Sequence, residues 1–141
     1  MKLKLHHIGI AVKEIGPLAK LFENKLGLEF EEPENVDAQK VKVTFTKQHP
    51  SVELVQATDD KSGQFPLLPH PIAGFIKSKG EGLHHICFSV SNIEEAYTEF
   101  TNSGVKILGK EIQKGSKGKR IFFIDPTETG GILIEIKEEK E

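Results

Sequence analysis

The chain has no tryptophan, one tyrosine, one methionine and one cysteine. A lone cysteine, Cys87, excludes an internal disulfide. No apolar run is long enough to span a bilayer. Met1-Lys2-Leu3-Lys4-Leu5 is basic, but no apolar core or small-residue cleavage site follows, so no signal peptide is read. Together these absences lead us to expect a cytoplasmic protein with no membrane partner. Neither sign of charge dominates: 19 Lys and Arg face 21 Asp and Glu, for a net charge of −2. That balance argues against a broad basic face and against nucleic acid as a partner. The one local basic cluster, Lys114-Gly115-Ser116-Lys117-Gly118-Lys119-Arg120, reads either as a solvated turn or as an anion-binding loop.

What the chain does have is a duplication. A shift of 78 residues lays His6-His7-Ile8 on His84-His85-Ile86, Ile15 on Ile93 and Val43-Thr44-Phe45 on Ile121-Phe122-Phe123. The last strand needs a shift of 82, which lays Val52-Glu53-Leu54 on Ile134-Glu135-Ile136. The four extra residues fall in the turn Asp125 to Gly131. At 141 residues the chain is one domain made of two small modules with a shared core, about 1–58 and about 82–141, joined by a linker at about 59–81.

Each copy reads as β-α-β-β-β. The first strands are placed at about 5–12 and 83–90, and the helices at about 15–26 and 92–103. Asn92 is the expected N-cap of the second helix, with Glu94 and Glu95 in its positive first turn. Gly27 and Gly104 are the expected helix stops. The remaining strands are expected at about 28–31, 40–47 and 51–56, and again at 105–111, 119–125 and 131–137. Period-2 alternation in Lys40-Val41-Lys42-Val43-Thr44-Phe45 supports a sheet with one buried face. In the linker, Gln64 to Pro71 carries three prolines in eight residues, and Ile72 to Lys77 reads as a short helix packed against the body.

The repeat makes a constellation of scattered residues. Each first strand offers a histidine pair, and each last strand offers a carboxylate, Glu53 or Glu135. Packed about a pseudo-twofold axis, equivalent positions meet in one cleft. A carboxylate bracketed by branched apolar residues costs several kcal/mol unless it is paired, protonated or on a metal. Two neutral imidazoles and two carboxylates suit a divalent ion such as Co²⁺, Zn²⁺, Ni²⁺ or Mn²⁺, leave open positions and make a neutral site. Only one histidine of each pair is expected to face the cleft, because strand neighbours point to opposite faces. Parity does not decide which one.

At these residues the chain resembles the vicinal oxygen chelate superfamily, which includes glyoxalase I and extradiol dioxygenases, and most closely its methylmalonyl-CoA epimerases. The resemblance rests on His6 to Val12, Lys79-Gly80-Glu81-Gly82-Leu83-His84-His85-Ile86, Gly118-Lys119-Arg120 and Gly130 to Glu135. It implies an α+β fold of two βαβββ modules in a cupped eight-stranded mixed sheet around a metal site. It implies His7, Glu53, His85 and Glu135 as the ligands. It also implies an epimerase that interconverts the C2 stereoisomers of methylmalonyl-CoA through a metal-stabilised enolate. Glu135 and Glu53, from opposite modules, become the candidate bases, Glu135 the better one because relatives keep an acid there; the strand Gln39 to Phe45 departs from the pattern in having no acid where some epimerases place a glutamate. Lys119 and Arg120 are the candidate contacts to the acyl-CoA substrate, through its phosphates or carboxylate. A homodimer is the family-like expectation. The alternatives are a glyoxalase I-like lyase of a glutathione adduct and a non-catalytic binding member.

Overall fold

The computed structural model describes residues 1–58 and 72–140. The proline-rich segment 64–71, with His70, lies outside the described residues. The elements run β1 (Lys4–Ala11), α1 (Ile15–Leu26), β2 (Glu34–Val36), β3 (Val41–Phe45), β4 (Ser51–Ala57), α2 (Ile72–Lys79), β5 (Gly82–Val90), α3 (Ile93–Asn102), β6 (Gln113–Lys114), β7 (Arg120–Ile124) and β8 (Ile134–Glu138). All eight strands form one sheet, in the order β2-β3-β4-β1-β5-β8-β7-β6. Its halves are mirror sequences of one pattern. In each, the first strand pairs in parallel with the last, β1 with β4 and β5 with β8. The halves join at the antiparallel pair β1–β5, so the sheet is mixed and curls into an open half-barrel.

The helices start and stop where local chemistry allows. Asn92 accepts from the Glu95 N–H at 3.0 Å, which satisfies an orphan donor of α3. Ile15 at the start of α1 instead donates its N–H to Gln56 Oε1 on β4, at 2.9 Å. Gly27 ends α1 at φ 68°, a left-handed turn without Cβ strain.

On the outer face α1 buries Ile15 and Ala19 against Val12 and Leu54, and α3 buries Ile93 and Ala96 against Phe122 and Ile136. On the inner face α2 sets Ile72 and Phe75 on Val41, Val43 and Val55, closing over one half of the cup. The linker helix thus packs on the body, two residues longer than Ile72 to Lys77. No helix among the described residues is long and apolar enough to cross a membrane.

The edge strands differ from expectation in both copies. At 28–31 there is only a bridge from Phe30 to Thr46, and regular pairing resumes at β2. Pro33, which has no N–H for the ladder, stands between them. At 105–111 there is only a bridge from Ile107 to Ile124 before β6. Here the backbone turns left-handed at Gly109 and Lys110, φ 70° and 54°, and leaves the sheet.

Candidate metal centre

Two adjacent rungs of the sheet build the site. One runs Phe45–Glu53–Gly9–His85 across β3, β4, β1 and β5. The other runs His7–Cys87–Glu135–Phe123 across β1, β5, β8 and β7. Residues directly paired across strands project to the same face, so each rung places one histidine and one glutamate inside the cup. The duplication thus supplies one ligand pair twice, with each histidine crossing to the glutamate of the opposite half.

The tips converge. His7 Nε2 lies 3.3 Å from Glu53 Oε1 and 3.4 Å from Glu135 Oε1. His85 Nε2 lies 3.0 and 3.3 Å from the same two oxygens. The two Nε2 atoms are 3.1 Å apart. Donors held about 2.0–2.2 Å from one ion are separated by roughly 3.0–3.5 Å, so His7, Glu53 and His85 fit a single divalent cation, with Glu135 Oε1 beside both rings. His7, Glu53, His85 and Glu135 are all buried, at 2, 6, 8 and 8% exposure. Glu53 Oε1 has two imidazoles at contact distance, yet neither is aligned to hydrogen-bond it. An orphaned buried carboxylate oxygen beside two ring nitrogens is what a set of ligands aimed at one point looks like.

Titration follows from this crowding. Burial alone lowers the His7 pKa, but the carboxylates of Glu135 and Glu53 outweigh it and push the ring up to about 9. Burial raises Glu53 and Glu135; contact with His7, joined by His85, reverses this and holds both carboxyls below the usual range. Burial, aided by the nearby Lys137, drives His6 down to about 4. Without a metal, a protonated His7 therefore stands between the two carboxylates as an electrostatic partner, and a metal ion must displace its proton.

The expectation that only one histidine of each pair faces the cleft holds for the first pair, where His7 but not His6 lines the cavity, and is corrected for the second, where His84 lines it beside His85; the β1–β5 register gives the reason. Leu5 pairs with Phe88 and His7 with Cys87, which leaves His6 as an extra residue; Gly9 pairs with His85 and Ile10 with Leu83, which leaves His84 extra. These are two β-bulges at equivalent places, and a bulge re-aims its side chain. His6 Nδ1 sits 2.7 Å from His7 Nδ1, and His84 Nδ1 sits 3.0 Å from His85 Nδ1. A sequence cannot reveal a bulge, but the doubling of His-His in both copies was the available signal.

A small open cavity of about 30 Å³ adjoins the four ligands. Val41, Val43, Val55, Ile72 and Phe123 give it apolar walls, and Gln39, Ser116 and His84 add polar groups. Of these, Ser116 sits within the basic cluster, where only the cations had drawn notice. The structure does not bring Lys119 or Arg120 to the ligands. Arg120 shares the α3 side of β7 with Phe122 and is clasped by Glu94 and by Glu138, at 2.9 and 3.0 Å from its Nη2. Lys119 Nζ lies 3.8 Å from Glu139. Arg120 thereby ties the start of α3 to β8, where Glu138 also accepts the Ile93 N–H.

The sequence profile of the glyoxalase/bleomycin resistance protein/dioxygenase superfamily matches residues 6–123, which span both histidine pairs. The chain belongs to this superfamily. Two curated relatives and one solved structure add detail to the superfamily assignment. An uncharacterized protein of Bacillus subtilis, YqjC, is 36% identical over 138 residues, covering 97% of this chain and 93% of the relative. An ethylmalonyl-CoA/methylmalonyl-CoA epimerase of Cereibacter sphaeroides is 32% identical, covering 96% and 97%. The crystal structure of hypothetical protein BH1468 from Bacillus halodurans superposes with a TM-score of 0.89 at 34% identity, covering 100% and 97%. Within the superfamily, then, the chain has epimerase-like homologues, and its buried His7, Glu53 and His85 form a possible His/Glu metal site that Glu135 adjoins through both histidines.

Proposed function

We propose that the chain is a metal-dependent epimerase that interconverts the C2 stereoisomers of methylmalonyl-CoA. The observation that carries this reading is the convergence of His7, Glu53, His85 and Glu135 beside a small apolar cavity. The match to an epimerase along nearly the whole of both chains supports it.

Those four side chains would hold a divalent ion, with Co²⁺, Zn²⁺, Ni²⁺ and Mn²⁺ as the candidates, which would supply positive charge against the negative charge developing on the thioester. The protein does the rest. The valines, Ile72 and Phe123 seat the methyl group and exclude water. Glu135 on β8 takes the C2 proton on its second oxygen, Oε2, since Oε1 faces the imidazoles. Glu53 on β4 belongs to the opposite half of the sheet; protonated from solvent on its own free oxygen, it delivers that proton to the other face of the planar carbon, and Glu135 then returns the C2 proton to solvent. No other acid lines the cavity among the described residues. Lys119, on the loop beside Ser116, is the proposed contact to the CoA phosphates, whereas Arg120 is already held by Glu94 and Glu138 on the α3 side; Lys119→Ala should raise KM and leave metal content unchanged.

The test is hydrogen exchange. The protein, loaded in turn with each of the four metals, is incubated in D₂O with methylmalonyl-CoA and, separately, with the methylglyoxal–glutathione hemithioacetal. Deuterium at C2 of the thioester under at least one metal is the expected result. No exchange under any metal overturns the reading. Turnover of the glutathione adduct alone replaces it with a glyoxalase I-like activity.

A further inference from the structure

Each of the two metal-directed histidines touches a second imidazole, and the contacts are made the same way in both halves. In a regular strand this is impossible, because adjacent side chains lie on opposite faces. The chain makes it possible twice, by inserting one extra residue into β1 at His6 and one into β5 at His84, at positions related by the 78-residue repeat. The resulting contacts are Nδ1 to Nδ1, at 2.7 and 3.0 Å. Both distances are those of a hydrogen bond, so each pair shares one proton. Its place follows from the far side of each ring. His7 and His85 aim Nε2 at the point shared by both glutamates, where a bare nitrogen is needed to hold a cation. Their remaining proton must then lie on Nδ1. The partner nitrogen on His6 or His84 has to be bare, and that ring carries its own proton on Nε2. For His6 this Nε2 lies 3.6 Å from Glu139 Oε1, an electrostatically matched neighbour. For His84 the ring is packed edge-on against Phe75 of α2, with centroids 5.1 Å apart.

We propose that His6 and His84 are positioning residues, each accepting the Nδ1–H of the next histidine and so fixing His7 and His85 in the orientation and tautomer that turn an unprotonated Nε2 toward the metal. The proposal rests on the reading of His7 and His85 as metal ligands. A histidine ligand ordinarily gives its outer N–H to a carboxylate, a backbone carbonyl or water, and loss of that acceptor lowers metal affinity about 10–100-fold. Here an imidazole does that work. The alternative is that His6 and His84 only fill space, in which case any ring of similar size would serve.

The experiment has two parts, and neither depends on turnover. Calorimetric titration of the metal-free protein with Zn²⁺ compares the parent with His6→Phe, His6→Asn, His84→Phe and His84→Asn. The phenylalanine keeps an aromatic ring but cannot accept, whereas the asparagine keeps an acceptor oxygen. The expected result is a 10–100-fold weaker site in the Phe variants and recovery of most of that loss in the Asn variants. Long-range ¹H–¹⁵N correlation on the Zn²⁺-loaded parent then reads the tautomers directly, without any substitution. Protonated Nδ1 on His7 and His85 with protonated Nε2 on His6 and His84 supports the proposal. Equal affinity in the Phe variants, or the reverse tautomers in the parent, overturns it. A parent that binds no Zn²⁺ overturns the metal reading itself, which is a separate outcome from a parent that binds normally and variants that do too.

Discussion

Gly9→Ala should disable the metal site through a single methyl group. Gly9 lies directly opposite His85 in the β1–β5 ladder, and the imidazole lies across its Cα. A Cβ at this position would stand 2.0 Å from His85 Cε1, 2.4 Å from Nδ1 and 2.6 Å from Nε2. Non-bonded carbons rest at about 3.5–4.0 Å, so the ring must retreat by roughly 1.5 Å. Ligand atoms tolerate about 0.2 Å of displacement, so His85 is lost as a donor. The backbone is not the obstacle, because Gly9 has no left-handed φ and any residue could adopt its conformation. The cost is confined to the clash. We expect metal affinity to fall about 100-fold or more, beyond the effect of losing an outer-sphere partner, and stability to fall by about 1–3 kcal/mol from overpacking. Cobalt titration by calorimetry and urea denaturation read the two effects. A double-mutant cycle isolates the cause: once His85→Ala has removed the ring, adding Gly9→Ala should cost almost nothing. A Gly9→Ala protein that binds cobalt like its parent would refute the placement of His85.

Three further outcomes follow from the same geometry. His7 rises from 6.5 to about 9 on folding without metal, so its contribution is complete below pH 6.5 and is lost as pH climbs through about 9; urea midpoints of the metal-free protein should fall across that window by the equivalent of about 1–3 kcal/mol, and a flat profile would contradict the paired His7. Glu135→Gln should slow C2 deuterium exchange by about 10²–10⁴-fold, whereas Glu53→Gln should leave exchange from one stereoisomer measurable and stop its conversion to the other; equal rates in both variants would remove the two-sided assignment. Phe122 is fully buried, edge-on to Tyr97 and Phe100, so Phe122→Ala should cost about 3–5 kcal/mol in urea denaturation and leave the zinc affinity of the folded fraction unchanged.

How far the sequence reached depended on what kind of interaction decided each feature. The α+β class, both outer helices and the central strands were legible because apolar periodicity and end signals such as Asn92 and Gly27 are local. The convergence of Glu53 and Glu135 with the histidines was legible because the duplication itself carries long-range information. The edge strands were not. Their course is set by Pro33 and by the left-handed pair Gly109-Lys110, whose effect depends on which neighbour the strand is leaving. The face reached by His6 and His84 was also hidden, since parity holds only in a regular ladder and the extra residues appear only in the register. Arg120 illustrates a third limit. Its sequence neighbours are cations and glycines, but its partners, Glu94 and Glu138, come from α3 and β8.

The most direct measurement is anomalous diffraction from crystals grown with cobalt, recorded on either side of the metal's absorption edge. One peak per chain, about 2.0–2.2 Å from His7 Nε2, His85 Nε2 and a carboxylate oxygen of both Glu53 and Glu135, is the predicted result. A peak elsewhere, or none while these four tips keep their spacing, would contradict it.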